Sequence, residues 1–212
     1  MKSTTLLIIS IIAAFFVELA LLSPSQIIST LAFSTHNVLQ GKVWTFVTAL
    51  YVHASPLHLF GNMLFLFIFG RALEKEVGGK RTIGLFFLGG ALTFLIGIPF
   101  YPARTALVGA SAAIFTLSAA IMLVQPTKLT IIILPVGLVA ILFFLLNVYD
   151  VSTGAAGNVA YISHVIGFLV GVPFGAKWSK NPLRNLGITM LMLLVFFIVI
   201  LIAQILFSRF AI

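Results

Sequence analysis

The sequence contains no cysteine and only four acidic residues, and charged side chains fill just 8% of its 212 positions. Without cysteine there is no disulfide, no thiol nucleophile and no thiolate metal site. No long polar stretch occurs either, which excludes a separate soluble domain within these residues. What fills the chain instead is apolar: 61% of the residues are hydrophobic. A water-soluble core does not hide that much apolar surface, so lipid is part of the solvent. The formal net charge is +8. The basic residues nevertheless sit in short loops between apolar runs, a pattern that argues against nucleic acid as a partner and reads as membrane topology.

The apolar runs divide into seven expected spans at about 5–22, 58–73, 82–101, 110–125, 129–147, 161–177 and 186–208. Several approach the ~20 residues that a ~30 Å hydrocarbon core requires. The second, fourth and sixth are shorter and richer in small or polar residues, as suits helices shielded by neighbours around a wet cavity. The first run has no small-residue cleavage site after it and is read as a span, not a removed leader. With the N-terminus inside, the inner segments hold nine basic residues: Lys2, Arg71, Lys75, Lys80, Arg81, Lys128, Lys177, Lys180 and Arg184. The outer segments hold three, Lys42, Arg104 and Arg209. That asymmetry sets the N-terminus cytoplasmic and the C-terminus external. Residues 23–57 form an apolar first loop, expected to be partly embedded at the outer interface with Trp44 and Tyr51 as anchors. Residues 148–160, with Gly154 and Gly157, are expected to be a flexible loop that either caps the outer face or merely connects.

Polar groups inside a membrane are costly and mark candidate sites. Spans two, four and six run in the same direction. His58 and Asn62, Ser111, and His164 each fall in the first turn or two of one of these spans. All four therefore share a depth just below the outer surface. His58 and Asn62, four residues apart, lie on one helix face. After His164, the residues Gly167, Gly171 and Gly175 fall within about 60° of it on one face at 100° per residue. Small residues at this spacing let membrane helices approach closely. Gly109 lets the chain come close just before Ser111. His36 and His53 are expected at the interface. A zinc site needs three or four suitably spaced ligands, and this pattern offers none. Of the acidic residues, Glu18 is expected to bond to the first loop, and Glu74 and Glu76 to pair with nearby Arg71, Lys75 and Lys80. Asp150 lies in the outer loop, away from His164.

A membrane serine is ordinarily inert, its hydroxyl bonded to a carbonyl one turn earlier. It becomes a nucleophile when a base takes its proton. Neutral His164 is suited to that task and to protonating the leaving amine. The Ser111 backbone N–H at the start of its helix, with the side chains of His58 and Asn62, would stabilise an oxyanion. The residues thus point to amide hydrolysis by a Ser111–His164 dyad, without a third member.

These stretches resemble the rhomboid family of intramembrane serine proteases. The matching segments are His53-Ala-Ser-Pro-Leu-His58-Leu-Phe-Gly-Asn62, Phe69-Gly70-Arg71-Ala-Leu-Glu74, Gly109-Ala-Ser111 and His164-Val-Ile-Gly167-Phe-Leu-Val-Gly171, spread from about Trp44 to Gly175. The resemblance implies an all-α polytopic bundle with a six-span core over residues 1–183; the run 184–212 is read as a seventh transmembrane helix added to that core. It implies Ser111 and His164 as the catalytic pair, with His58 and Asn62 binding the oxyanion. It implies no metal or organic cofactor. Its substrates would be single-span membrane proteins, cut near the outer face of what is expected to be a prokaryotic cell membrane. Two departures stand out. The family commonly has glycine directly after the serine, where this chain has Ala112. Ser163 precedes the histidine where alanine is frequent. A second reading is a rhomboid-like protein that holds membrane clients without cutting them. Intact Ser111 and His164 speak against it, and Ala112 keeps it open. A channel or transporter would show repeats and mid-depth polar groups, and neither is present.

Overall fold

The bundle is organised around a short helix of small side chains, Ser111–Val124, in which every residue from Ala112 to Leu123 is buried. The structure is a computed structural model and describes residues 2–153 and 159–210. In chain order the α-helices are α1 (Ser3–Leu21), α2 (Pro24–Thr30), α3 (Thr35–Leu39), α4 (Thr45–Thr48), α5 (Pro56–Phe65), α6 (Arg71–Val77), α7 (Gly79–Gly97), α8 (Ser111–Val124), α9 (Val136–Thr153), α10 (Val159–Trp178) and α11 (Pro182–Phe210). A wider π-type segment, Leu66–Gly70, joins α5 to α6 into one rod, and a 3-10 turn, Ile98–Phe100, ends α7. No β-strand occurs among the described residues; the extended contacts are two isolated bridges, Phe33 with Leu107 and Leu129 with Pro135. The chain is a helical membrane protein. Five of its helical rods, Ser3–Leu21, Pro56–Val77, Gly79–Phe100, Val136–Thr153 and Pro182–Ser208, are long and apolar enough to cross a bilayer. At 14 residues and 1.5 Å per residue, α8 is only about 21 Å long. It is screened from lipid on all sides.

Glycine sets how closely α10 lies on α8. A Cβ on Gly167 would sit 2.4 Å from the Ala112 carbonyl oxygen, and one on Gly171 would sit 2.2 Å from that of Thr116. One on Gly175 would lie 2.8 Å from Ala120 Cα. Two rows of small residues at four-residue spacing therefore mesh backbone to backbone. Thr116 is clamped at the centre. Its hydroxyl lies 3.0 Å from the Gly167 carbonyl, and its methyl fills the space over Gly89 of α7.

The first loop is more ordered than a linker. Ser23 caps α2, Asn37 donates its side-chain amide to the Ile28 and Ala32 carbonyls, and Trp44 donates from its indole to Thr30. Phe33 stacks on Phe94 of α7 at 4.7 Å. The loop also holds the approach to Ser111: Phe33 and Leu107 exchange backbone bonds of 3.0 and 2.8 Å, and Gly109 N–H donates to Ala49 at 2.8 Å. At the opposite end, the Glu74 carboxylate accepts from the N–H groups of Ser3 and Thr4, capping α1, and lies 3.7 Å from Arg71. Glu76 pairs across the bundle with Lys128, not with its own neighbours.

Several expected edges shift. The fifth span was expected at 129–147, but Pro135 and a turn held by Thr130 and Leu134 delay its start to Val136. It then continues to Thr153. The expected outer loop 148–160 is therefore helical at 148–153 and from Val159 onward; its remainder, 154–158, lies outside the described residues. Asp150 accordingly sits on α9. Among the described residues Glu18 makes no side-chain hydrogen bond to the first loop. His53, expected at the interface, is buried.

Candidate active site

The site is assembled where α5, α8, α9 and α10 converge. Ser111 opens α8, and the first-turn N–H groups of that helix have no acceptor within it. The Ser111 hydroxyl lies 2.8 Å from His164 Nε2. His164 packs flat on Phe115, with ring centroids 4.6 Å apart and planes 15° from parallel. Its Nδ1 is 2.6 Å from Asn147 Oδ1, on α9.

Opposite this pair stand His58 and Asn62. Ser55 caps α5 through the His58 N–H, with Pro56 in the first helical position, a favoured start. A long contact of 3.4 Å from Ala54 N–H to His58 Nδ1 leaves Nε2 as the donor. Asn62 gives one amide proton to the His58 carbonyl at 3.0 Å and retains the other. Both side chains sit over Gly109. A Cβ there would lie 2.8 Å from His58 Nε2 and 3.8 Å from Asn62 Nδ2, and its φ of +113° is one that side-chain-bearing residues avoid. Glycine is therefore required at 109 twice over.

Two cavities of about 290 and 280 Å³ meet at Val108, Ser111, His58 and His164. The first runs toward Phe94, Gly109, Ala112 and Ser163; the second, between α5 and α9, is lined by Leu57, Phe65 and Phe143. The arrangement gives a hydroxyl, a base in contact with it, and two side-chain donors facing the same space. Ala112, the departure from glycine, forms part of the cavity wall, and its carbonyl receives Gly167. Ser163, the other departure, is bonded to the Tyr101 hydroxyl at 2.6 Å, which ties the end of α7 to α10.

The description "Rhomboid domain" matches residues 40–181, a span that contains every residue of this site. The chain belongs to the rhomboid family. Among its curated relatives it is 32% identical over 151 residues to "Rhomboid-like protein 11, chloroplastic" of Arabidopsis thaliana, covering 66% of this chain and 54% of that one. It is 33% identical over 148 residues to "RHOMBOID-like protein 6, mitochondrial" of the same plant, covering 69% and 47%. It is 24% identical over 146 residues to "Rhomboid protease GlpG" of Haemophilus influenzae, covering 68% and 75%. The chain thus spans about half the length of these two plant rhomboids.

The four residues singled out by depth, His58, Asn62, Ser111 and His164, come together in this rhomboid fold, and Gly109, Gly167 and Gly171 lie at the contacts described above. Asn147 and Phe115 were not anticipated. Asn147 carried the same signal as the others. It ends the expected fifth span at the outer side, at the depth of Ser111, but that span runs opposite to spans two, four and six. Phe115 gave no signal beyond lying four residues after the serine.

Proposed function

We propose that this rhomboid is an intramembrane serine endopeptidase that hydrolyses peptide bonds in or beside the transmembrane segments of single-span membrane proteins. The 2.8 Å contact between the Ser111 hydroxyl and His164 Nε2, at the meeting point of two cavities, is the observation that carries this reading. Ser111 Oγ attacks the scissile carbonyl carbon while His164 Nε2 takes the hydroxyl proton. The negative charge passes to the carbonyl oxygen, where the Ser111 N–H, His58 Nε2–H and the free amide proton of Asn62 receive it. As the C–N bond breaks, His164 returns its proton to the departing amine. Water then attacks the acyl-serine ester, His164 again takes the proton, and Ser111 is regenerated. The apolar cavity side between α5 and α9 suits substrate side chains arriving from lipid. The asymmetry of basic residues supports a site near the external face, with the N-terminus in the cytoplasm.

The test uses the full chain in detergent with a single-span substrate and a serine-reactive fluorophosphonate. The wild type is expected to cleave and to be labelled. Ser111→Ala is expected to lose labelling and about 10⁴-fold or more in turnover. Equal cleavage by both proteins, or a wild type that binds the substrate and is never labelled, overturns the reading; the second result favours client binding without cleavage.

A further inference from the structure

We propose that Asn147 is a positioning residue that fixes the tautomer and orientation of His164, making the base a device of three helices. The inference rests on the reading of Ser111 and His164 above. Asn147 bears the one polar side chain between Val136 and Val148, and it is buried. A buried amide in an apolar helix is costly unless both of its ends are bonded. Both are. Nδ2 donates to the Phe143 carbonyl at 2.8 Å, and Oδ1 lies 2.6 Å from His164 Nδ1. The opposite amide orientation would set Oδ1 against the Phe143 carbonyl, two acceptors face to face. Oδ1 therefore faces His164 and needs a donor there, so Nδ1 carries the proton. Nε2 is left with its lone pair toward the Ser111 hydroxyl, as a general base requires.

Among the described residues, nothing else in contact with His164 does this. Stacking on Phe115 sets the plane of the ring, but a half-turn about Cβ–Cγ returns the ring to the same plane with nitrogen and carbon exchanged at both edges. The titratable groups facing His164 are His58 from α5, with His53 behind it at 5.1 Å between ring centroids, and Tyr161 of α10, edge-on at 6.1 Å. Asp150 lies one turn beyond Asn147 on α9. None of them meets Nδ1.

Three variants of the full chain test this, each checked for folding by its melting temperature. Asn147→Leu keeps the branched shape and the number of side-chain heavy atoms and removes the acceptor; kcat is expected to fall about 10²-fold with KM unchanged, within the ceiling of about 10⁴ known for a triad base held in the wrong tautomer. Asn147→Asp keeps the acceptor and adds charge. It should retain activity and move the acid limb of kcat/KM to higher pH, because a carboxylate favours the imidazolium. Asn147→Gln should recover part of the Leu loss. A Leu variant with wild-type kcat, or an Asp variant with an unmoved acid limb, overturns the proposal; the Asp arm decides if the Leu variant does not fold. Nitrogen-15 shifts of His164 separate this inference from the reading beneath it. A fixed Nδ1–H tautomer that becomes mixed in Asn147→Leu supports it even if no substrate is cut, and a mixed tautomer in wild type overturns it even if substrate is cut.

Discussion

The seam between α8 and α10 and the long helix α11 are both strongly apolar, yet they are held in opposite ways. At the seam, three glycines put backbone against backbone and a threonine hydroxyl bridges the two helices. The most apolar stretch of α11 contains no buried residue at all. Its attachment is made in its first half, where Asn185 donates to the Leu123 and Val124 carbonyls at the end of α8, Gly137 of α9 packs close to Thr189, and Met192, Leu193 and Phe196 are partly buried against the core. The difference shows what holds helices together when lipid is the solvent. Lipid tails are as apolar as leucine, so burying leucine gains little in either region. Close backbone approach and satisfied polar groups decide the contact.

The strongest way to break this comparison is at Gly171. A Cβ there already meets the Thr116 carbonyl oxygen at 2.2 Å, and that partner is backbone. Gly171→Ala is expected to cost about 1–3 kcal/mol by overpacking. Gly171→Leu is expected to force the helices apart. Because His164 lies two turns above on the same face, its contact with Ser111 is then lost, and turnover falls with it. Melting temperature and fluorophosphonate labelling rate measure the two effects. A Leu variant that melts and labels like wild type would show that the seam tolerates separation.

The same contrast explains what the sequence makes legible. A 3.6-residue period and four-residue glycine spacing are local facts, and they locate Gly167, Gly171 and the shared face of His164 without coordinates. Span direction adds depth, and depth groups His58, Asn62, Ser111 and His164. Orientation within a depth level is another matter. Whether Asn147 or Asp150 turns toward His164 depends on where α9 begins. Pro135 and the turn before it, with Ile133 at a φ of 60°, move that start by seven residues from the expected position. The burial of His53 depends in the same way on how the first loop folds over α5. Such long-range placements leave no trace in residue spacing.

Acidity tests α11 against the packed body of the bundle, because it acts on the second alone. His53 lies ahead of α5, in van der Waals range of the site. Burial pushes its pKa down to about 4 from an ordinary 6.5, the bond to the Tyr51 carbonyl opposes this, and neighbouring His58 adds to the lowering. The folded protein thus holds the ring neutral while the unfolded chain protonates it. The associated stability is complete above pH 6.5 and is lost as pH falls from there toward 4, by at most about 3 kcal/mol. Melting temperature should drop over that window in wild type and less steeply in His53→Gln. Parallel slopes would remove His53 as the cause. Between Leu186 and Ser208, α11 has no titratable side chain, so no part of that slope belongs to it.

The smallest effects lie on α11, and they test whether its attachment is as local as its contacts. Asn185→Ala strips two hydrogen bonds from the last carbonyls of α8 and is expected to cost about 1–2 kcal/mol. Leu194 is 57% exposed and faces a solvent as apolar as itself. Leu194→Ala exchanges one lipid-facing surface for another, leaves no cavity, and should change stability by less than about 0.5 kcal/mol. The two variants share a helix, a solvent and a similar loss of side-chain atoms. A large loss at Leu194 would mean that α11 is packed against something along its length, and the division between a seam of specific contacts and a helix held at one end would no longer stand.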